Sequence, residues 1–93
     1  MILDLYYFVV YSRCYELDED LQHVIDALVA DLSAQGPAQP GWKHYSKLRQ
    51  KGDNHHCHLK AGRPTYVACW EVLDKRIPIL EIYYVGTHEG APY

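Results

Sequence analysis

Apolar and aromatic residues alternate from residue 2 to residue 12, with Leu3, Leu5, Tyr7, Val9 and Tyr11 on one side. Ile2, Tyr6, Phe8 and Val10 fall on the other, interrupted by Asp4. A period of two predicts a strand, and one apolar on both faces is covered on each: an interior strand, or one between a helix and a partner protein. After Asp18 the period changes. Leu21, Val24, Ile25, Leu28, Val29 and Leu32 form one stripe at helical spacing, which predicts a helix of about 17 residues and about 25 Å. Asp18 is its N-cap, Glu19 and Asp20 suit the positive end of its dipole, and Gly36-Pro37 ends it.

The stretch GPAQPG (36–41) reads as a linker. Trp42, Tyr45, Leu48 and Arg49 then predict a short second helix over 42–52, stopped by Gly52, with Lys43, Lys47 and Lys51 on its exposed side. Asp53-Asn54 turns the chain into three strand-like runs: residues 55–60, Pro64 to Val72, and Ile77 to Val85. Ala61-Gly62 and Asp74-Lys75 form the turns between them, short enough for antiparallel neighbours. Trp70, on the middle run, is expected in the core. The resulting expectation is an α+β fold in the order β-α-α-β-β-β, a small antiparallel sheet with two N-terminal helices packed on one face. The whole chain, residues 1–93, forms one domain.

Composition narrows the setting. No run approaches the 18 to 20 apolar residues, roughly, that a membrane helix needs. The apolar opening lacks a basic n-region and a cleavage site, so it reads as a strand of a cytoplasmic protein rather than as a signal peptide. Cys14, Cys57 and Cys69 form no C-x-x-C pair and are odd in number, which suits a reducing compartment with Cys57 and Cys69 as small buried hydrophobes. The net charge of -3 conceals a polarity. Arg13 is the one basic residue of the first forty, against Asp4, Glu16, Asp18, Glu19, Asp20, Asp26 and Asp31. Between 42 and 63, Lys43, Lys47, Arg49, Lys51, Lys60 and Arg63 face Asp53 alone. That is either a phosphate-facing surface or a solvated one.

Candidate chemistry lies in HHCHLK and in the tail. On a strand, Cys57 and Leu59 turn to the core and His56, His58 and Lys60 to the other side, about 7 Å apart per step; Arg63 follows past the turn. Two imidazoles, an ammonium and a guanidinium on one face suit phosphodiester binding or cleavage. The run His55, His56, Cys57, His58 is no zinc site, because neighbouring strand residues face opposite ways. A three-histidine site from His56, His58 and His88 stays open, but no metal or other cofactor is expected. In the tail VGTHEGAPY, Gly86 breaks the last strand and sets His88 at its end, where Glu89 could orient it; Tyr93 closes the chain. An imidazole there suits proton transfer near neutral pH.

The element order, an R-P-x-Y-V-x-x-W strand, an I-x-I-L-E-I-Y-Y-V-G strand and the G-T-H-E-x-x-P-Y tail resemble the RelE/ParE superfamily of bacterial toxins, and in the tail its YafQ-like and HigB-like branches. The resemblance implies a microbial-RNase-like fold that enters the ribosomal A site and cuts mRNA without a metal. It implies an antitoxin protein that masks the cleft; a homodimer is also open. By the same resemblance His88 is the general acid, Tyr93 the terminal aromatic, Lys60 and Arg63 the cations around the scissile phosphate, and His56 or His58 the base. The alternative is a non-catalytic module of the same fold, a ParE-like inhibitor or antitoxin-binding protein.

Overall fold

The computed structural model describes residues 7–11, 18–74 and 76–93. The outer parts of the first strand run, Asp4, Cys14 and Lys75 lie outside them. The described elements are β1 (Phe8–Tyr11), α1 (Glu19–Gln35), β2 (Ser46–Lys47), β3 (Asp53–Lys60), β4 (Tyr66–Asp74), β5 (Ile79–Thr87) and a single 3-10 turn, His88–Gly90. The strands form one five-stranded sheet in the order β1-β5-β4-β3-β2. β1 runs parallel to β5 and all other neighbours are antiparallel. The sheet is therefore mixed.

The helix forms as its sequence dictates. Asp18 caps it, its Oδ1 accepting the Leu21 N–H at 2.8 Å, and Leu21, Ile25, Leu28 and Leu32 are buried. They meet Cys57, Ala68, Trp70, Leu80, Ile82 and Val85 from the sheet in one core, against which Tyr7, Val9 and Tyr11 also pack. Gly36 ends α1 at a φ of 91°, a left-handed conformation that glycine adopts without strain. The ring of Tyr7 lies so close that a Cβ there would sit 2.9 Å from its Cε1. Trp70, completely buried, donates from Nε1 to the Pro37 carbonyl at 3.0 Å.

Two expectations need correction. The described residues contain one α-helix, not two, and the sheet is not purely antiparallel. The 42–52 segment is a pair of turns followed by the edge strand β2. Its apolar residues, spaced at three, span too few turns to hold a helix against better partners. Trp42 donates from Nε1 to Asp31 Oδ2 at 2.9 Å, and Tyr45 places its hydroxyl 2.7 Å from His55 Nδ1. Between them His44 takes a positive φ of 54°, which no α-helix accommodates. Ser46 and Lys47 then pair with His56 and His55 on β3, and Gly52, at φ 91°, turns the chain into β3. Lys43, Lys47 and Lys51 therefore share no helical face. The first strand differs as well. Among the described residues β1 is an edge, and its Phe8 and Val10 are exposed rather than covered. The strand bounds also move: β3 starts at Asp53, and β4 and β5 each run two residues past their expected ends.

Candidate active site

β3 has two faces with different tasks. His55, Cys57 and Leu59 turn toward α1, and the His55 ring stacks on Trp70 with centres 5.9 Å apart and planes 3° apart. Its Nε2 lies 2.8 Å from Asp53 Oδ1, and its Nδ1 faces the Tyr45 hydroxyl. A carboxylate only accepts, so Nε2 carries the proton and Nδ1 accepts from the phenol. Burial lowers the His55 pKa against the attraction of Asp53 and raises that of Tyr45, in keeping with a neutral ring and a protonated phenol. Burial pushes the Asp53 carboxyl up, but His55 and Lys47 outweigh it and hold it below the usual range. His55 is thus a structural residue.

The opposite face gathers four of the other imidazoles, His23 lying apart on α1. His56 and His58 lie with ring centres 6.0 Å apart. His88, in the turn after β5, meets His58 edge to face at 5.5 Å. Tyr93 lies 4.7 Å from His56 and 6.0 Å from His88. The expected His56, His58, His88 and Tyr93 are thus brought together from β3 and the C-terminal tail. Sequence reasoning missed His44, whose ring rests 4.3 Å from His58. Its placement depends on a left-handed backbone that nothing in a presumed helix signals.

The tail is held where it can do this. The His88 N–H donates to the Thr65 carbonyl at 2.8 Å, the Gln50 side chain to the Pro92 carbonyl at 3.1 Å, and Tyr84 to the Thr87 carbonyl at 2.7 Å. Gly86 lies inside β5 and does not break it. Its role is space. A Cβ at Gly86 would lie 2.7 Å from the Tyr84 hydroxyl oxygen, and one at Gly90 2.9 Å. No hydrogen bond joins Glu89 to His88 among the described residues; Glu89 lines the cleft beside it.

The two inner histidines differ in access. His56 is nearly buried, and its Nδ1 faces both the Ser46 hydroxyl at 3.1 Å and the Ser46 carbonyl at 3.4 Å. Donation to that carbonyl leaves the lone pair on Nε2. His58 is half-buried and lies on the ridge between two clefts. One, of about 570 Å³, is lined by His58, Arg63, Thr65, His88 and Glu89. The other, of about 590 Å³, is lined by Trp42, Lys43, His44, His58, Leu59 and Lys60, among others. Arg63 therefore shares a cleft with His58 and His88, whereas Lys60 lies across the ridge.

Burial lowers the pKa of both His56 and His58, and the surrounding imidazoles lower it further, while the Ser46 carbonyl opposes the shift at His56. Burial likewise raises Tyr93, so its phenol remains a donor. Beneath the cluster, burial pushes the thiols of Cys57 and Cys69 up to about 12. Among the described residues no group of three or more His, Cys, Asp or Glu side chains is arranged to hold a metal ion, so the three-histidine arrangement is not formed as a ligand set. No described helix is long and apolar enough to cross a membrane.

The arrangement offers a half-buried imidazole, a solvent-facing imidazole and a guanidinium around one cleft. No family model matches the chain, and neither a curated protein nor a solved structure is found to be similar to it.

Proposed function

We propose that this protein is a metal-independent endoribonuclease that cuts mRNA on the ribosome in the cytoplasm, as the toxin of a bacterial type II toxin-antitoxin pair. The observation that carries the chemistry is the contact of His58 with His88 beside Arg63. The toxin setting rests on the sequence resemblance, and an antitoxin protein is its expected partner.

His58, held neutral by its surroundings, takes the proton of a ribose 2′-hydroxyl as that oxygen attacks the adjacent phosphorus. His88, in its charged form, gives a proton to the 5′-oxygen as the P–O5′ bond breaks. The products are a 2′,3′-cyclic phosphate and a 5′-hydroxyl. Ring centres 5.5 Å apart allow each imidazole to reach a different oxygen of one phosphodiester through a hydrogen bond of about 2.6–3.2 Å. Arg63 offers its guanidinium to the charge that builds on the phosphorane oxygens. The Tyr93 phenol caps His56 and adds a donor at the rim. His56 supports the cluster from below, its Nδ1 held by Ser46.

Controlled expression of the chain, with primer extension on a reporter mRNA, tests this. Growth arrest with cuts inside translated codons supports the reading. Normal growth with intact mRNA overturns it and favours a non-catalytic partner-binding module, for which the exposed Phe8 and Val10 on β1 offer a contact surface.

A further inference from the structure

Across the His58 ridge, the second cleft is the more cationic of the two. Lys43 and Lys60 line it, and no carboxylate does; the first cleft sets Glu89 against Arg63. Its apolar wall comes from Trp42 and Leu59. The loop bearing Lys43 and His44 is fixed to β3, because the Lys43 carbonyl accepts the His58 N–H at 2.8 Å. His44 is exposed, holds a left-handed backbone at φ 54°, and lays one face of its ring toward His58. A side chain held in that conformation costs energy that histidine tolerates better than most residues. The cleft therefore joins two ammonium groups, one imidazole face and an apolar wall in a volume suited to one nucleotide.

We propose that this cleft is the subsite for the RNA nucleotide on the 5′ side of the cut, an inference that rests on the nuclease reading above. The assignment of side follows from the lining. The base must reach the 2′-hydroxyl of the upstream nucleotide, and His58 borders both clefts. The acid must reach the 5′-oxygen of the downstream nucleotide, and His88 borders only the first. The upstream nucleotide then lies over the second cleft, with its 5′ phosphate between Lys43 and Lys60 and its base on His44. Base preference is exerted at that position.

The test is binding of a labelled single-stranded RNA hexamer carrying 2′-fluoro groups, which has no nucleophile and cannot be cut, across a salt series. Each phosphate contact on a single strand contributes about 0.7 to the slope of log affinity against log salt. Lys43→Ala with Lys60→Ala removes both partners of the one phosphate and is expected to lower that slope by about 0.7. His44→Gly keeps the backbone conformation and removes the ring, and is expected to weaken binding by about fivefold or more. An unchanged slope in the double variant overturns the subsite, as does a wild-type protein that does not bind the hexamer. Lysine-dependent binding by a protein that never cuts RNA overturns the nuclease reading and leaves this cleft as an RNA-binding site.

Discussion

His58 and His88 meet edge to face, their ring centres 5.5 Å apart, although one comes from near the C-terminal end of β3 and the other from the turn after β5. The contact exists because β4 lies between those strands and the carbonyl of Thr65, just before it, accepts the His88 N–H. Fixing one imidazole on a strand and the other on a tethered turn presets their separation before any substrate binds. His88→Ala is therefore expected to lower RNA cleavage by about a hundredfold or more, the usual contribution of a general acid. His88 is exposed, so the variant should melt close to the wild type. Cleavage at the wild-type rate would show that His88 is not the acid.

The histidine environments set a pH dependence of stability. His55, His56 and His58 all have pKa values lowered from 6.5, chiefly by burial. Below 6.5 the unfolded chain takes up protons that the folded chain refuses, so the unfolded state binds more protons and stability falls as pH falls. The stabilisation is complete above that value and is lost as pH drops through the lowered folded values. Asp53, also lowered, extends the loss further into acid. Thermal melts should be level above pH 7 and fall steadily between pH 6.5 and 5. A melting temperature that holds constant over that interval would refute the neutral, buried state of these rings.

Trp70 anchors the opposite face. Fully buried and bonded to the Pro37 carbonyl, it joins the sheet to the end of α1. Trp70→Ala should cost about 3–5 kcal/mol, enough to leave a domain of this size largely unfolded. Urea denaturation would show this as a collapse of the midpoint.

Gly86→Ala probes the tail. The new methyl must displace the Tyr84 ring and with it the bond to the Thr87 carbonyl. A loss of about 1 kcal/mol is expected for that bond, with a larger proportional fall in cleavage because His88 directly follows Thr87. Equal activity in the variant would mean that the tail's position does not govern the chemistry.

The thiols offer a simple check on burial. Cys57 and Cys69 are inaccessible, with pKa values pushed up to about 12. In the native protein they should resist alkylation at pH 8 and become reactive in denaturant.

What the sequence made legible was whatever repeats over a short period. The Leu21–Leu32 stripe, the Asp18 cap and the alternation that separates Cys57 from His56 and His58 all follow from local geometry, and each is realised. Residues 42–52 misled because three apolar side chains spaced at three fit one face of a helix, whereas two of them are claimed by other partners. Trp42 goes to Asp31, and Tyr45 to His55 and Trp70. Two consequences were therefore hidden. His44 joins the histidine cluster, and His55 is fixed in the core by Tyr45 and Trp70. The division of Lys60 and Arg63 between two clefts was hidden too, since it depends on the irregular pairing between His58 and Lys60 at the end of β3.

The most direct measurement uses a translated message in which the nucleotide 5′ to the observed cut is replaced by its 2′-deoxy form, with the ends of the products analysed. Attack by the internal 2′-hydroxyl, drawn by His58 and completed by His88, predicts no cut at the substituted position. On the unmodified message it predicts 2′,3′-cyclic phosphate and 5′-hydroxyl ends. A cut that persists in the deoxy message, or one that leaves a 3′-hydroxyl and a 5′-phosphate, would mean that water is the nucleophile and that the histidine pair does not perform this reaction.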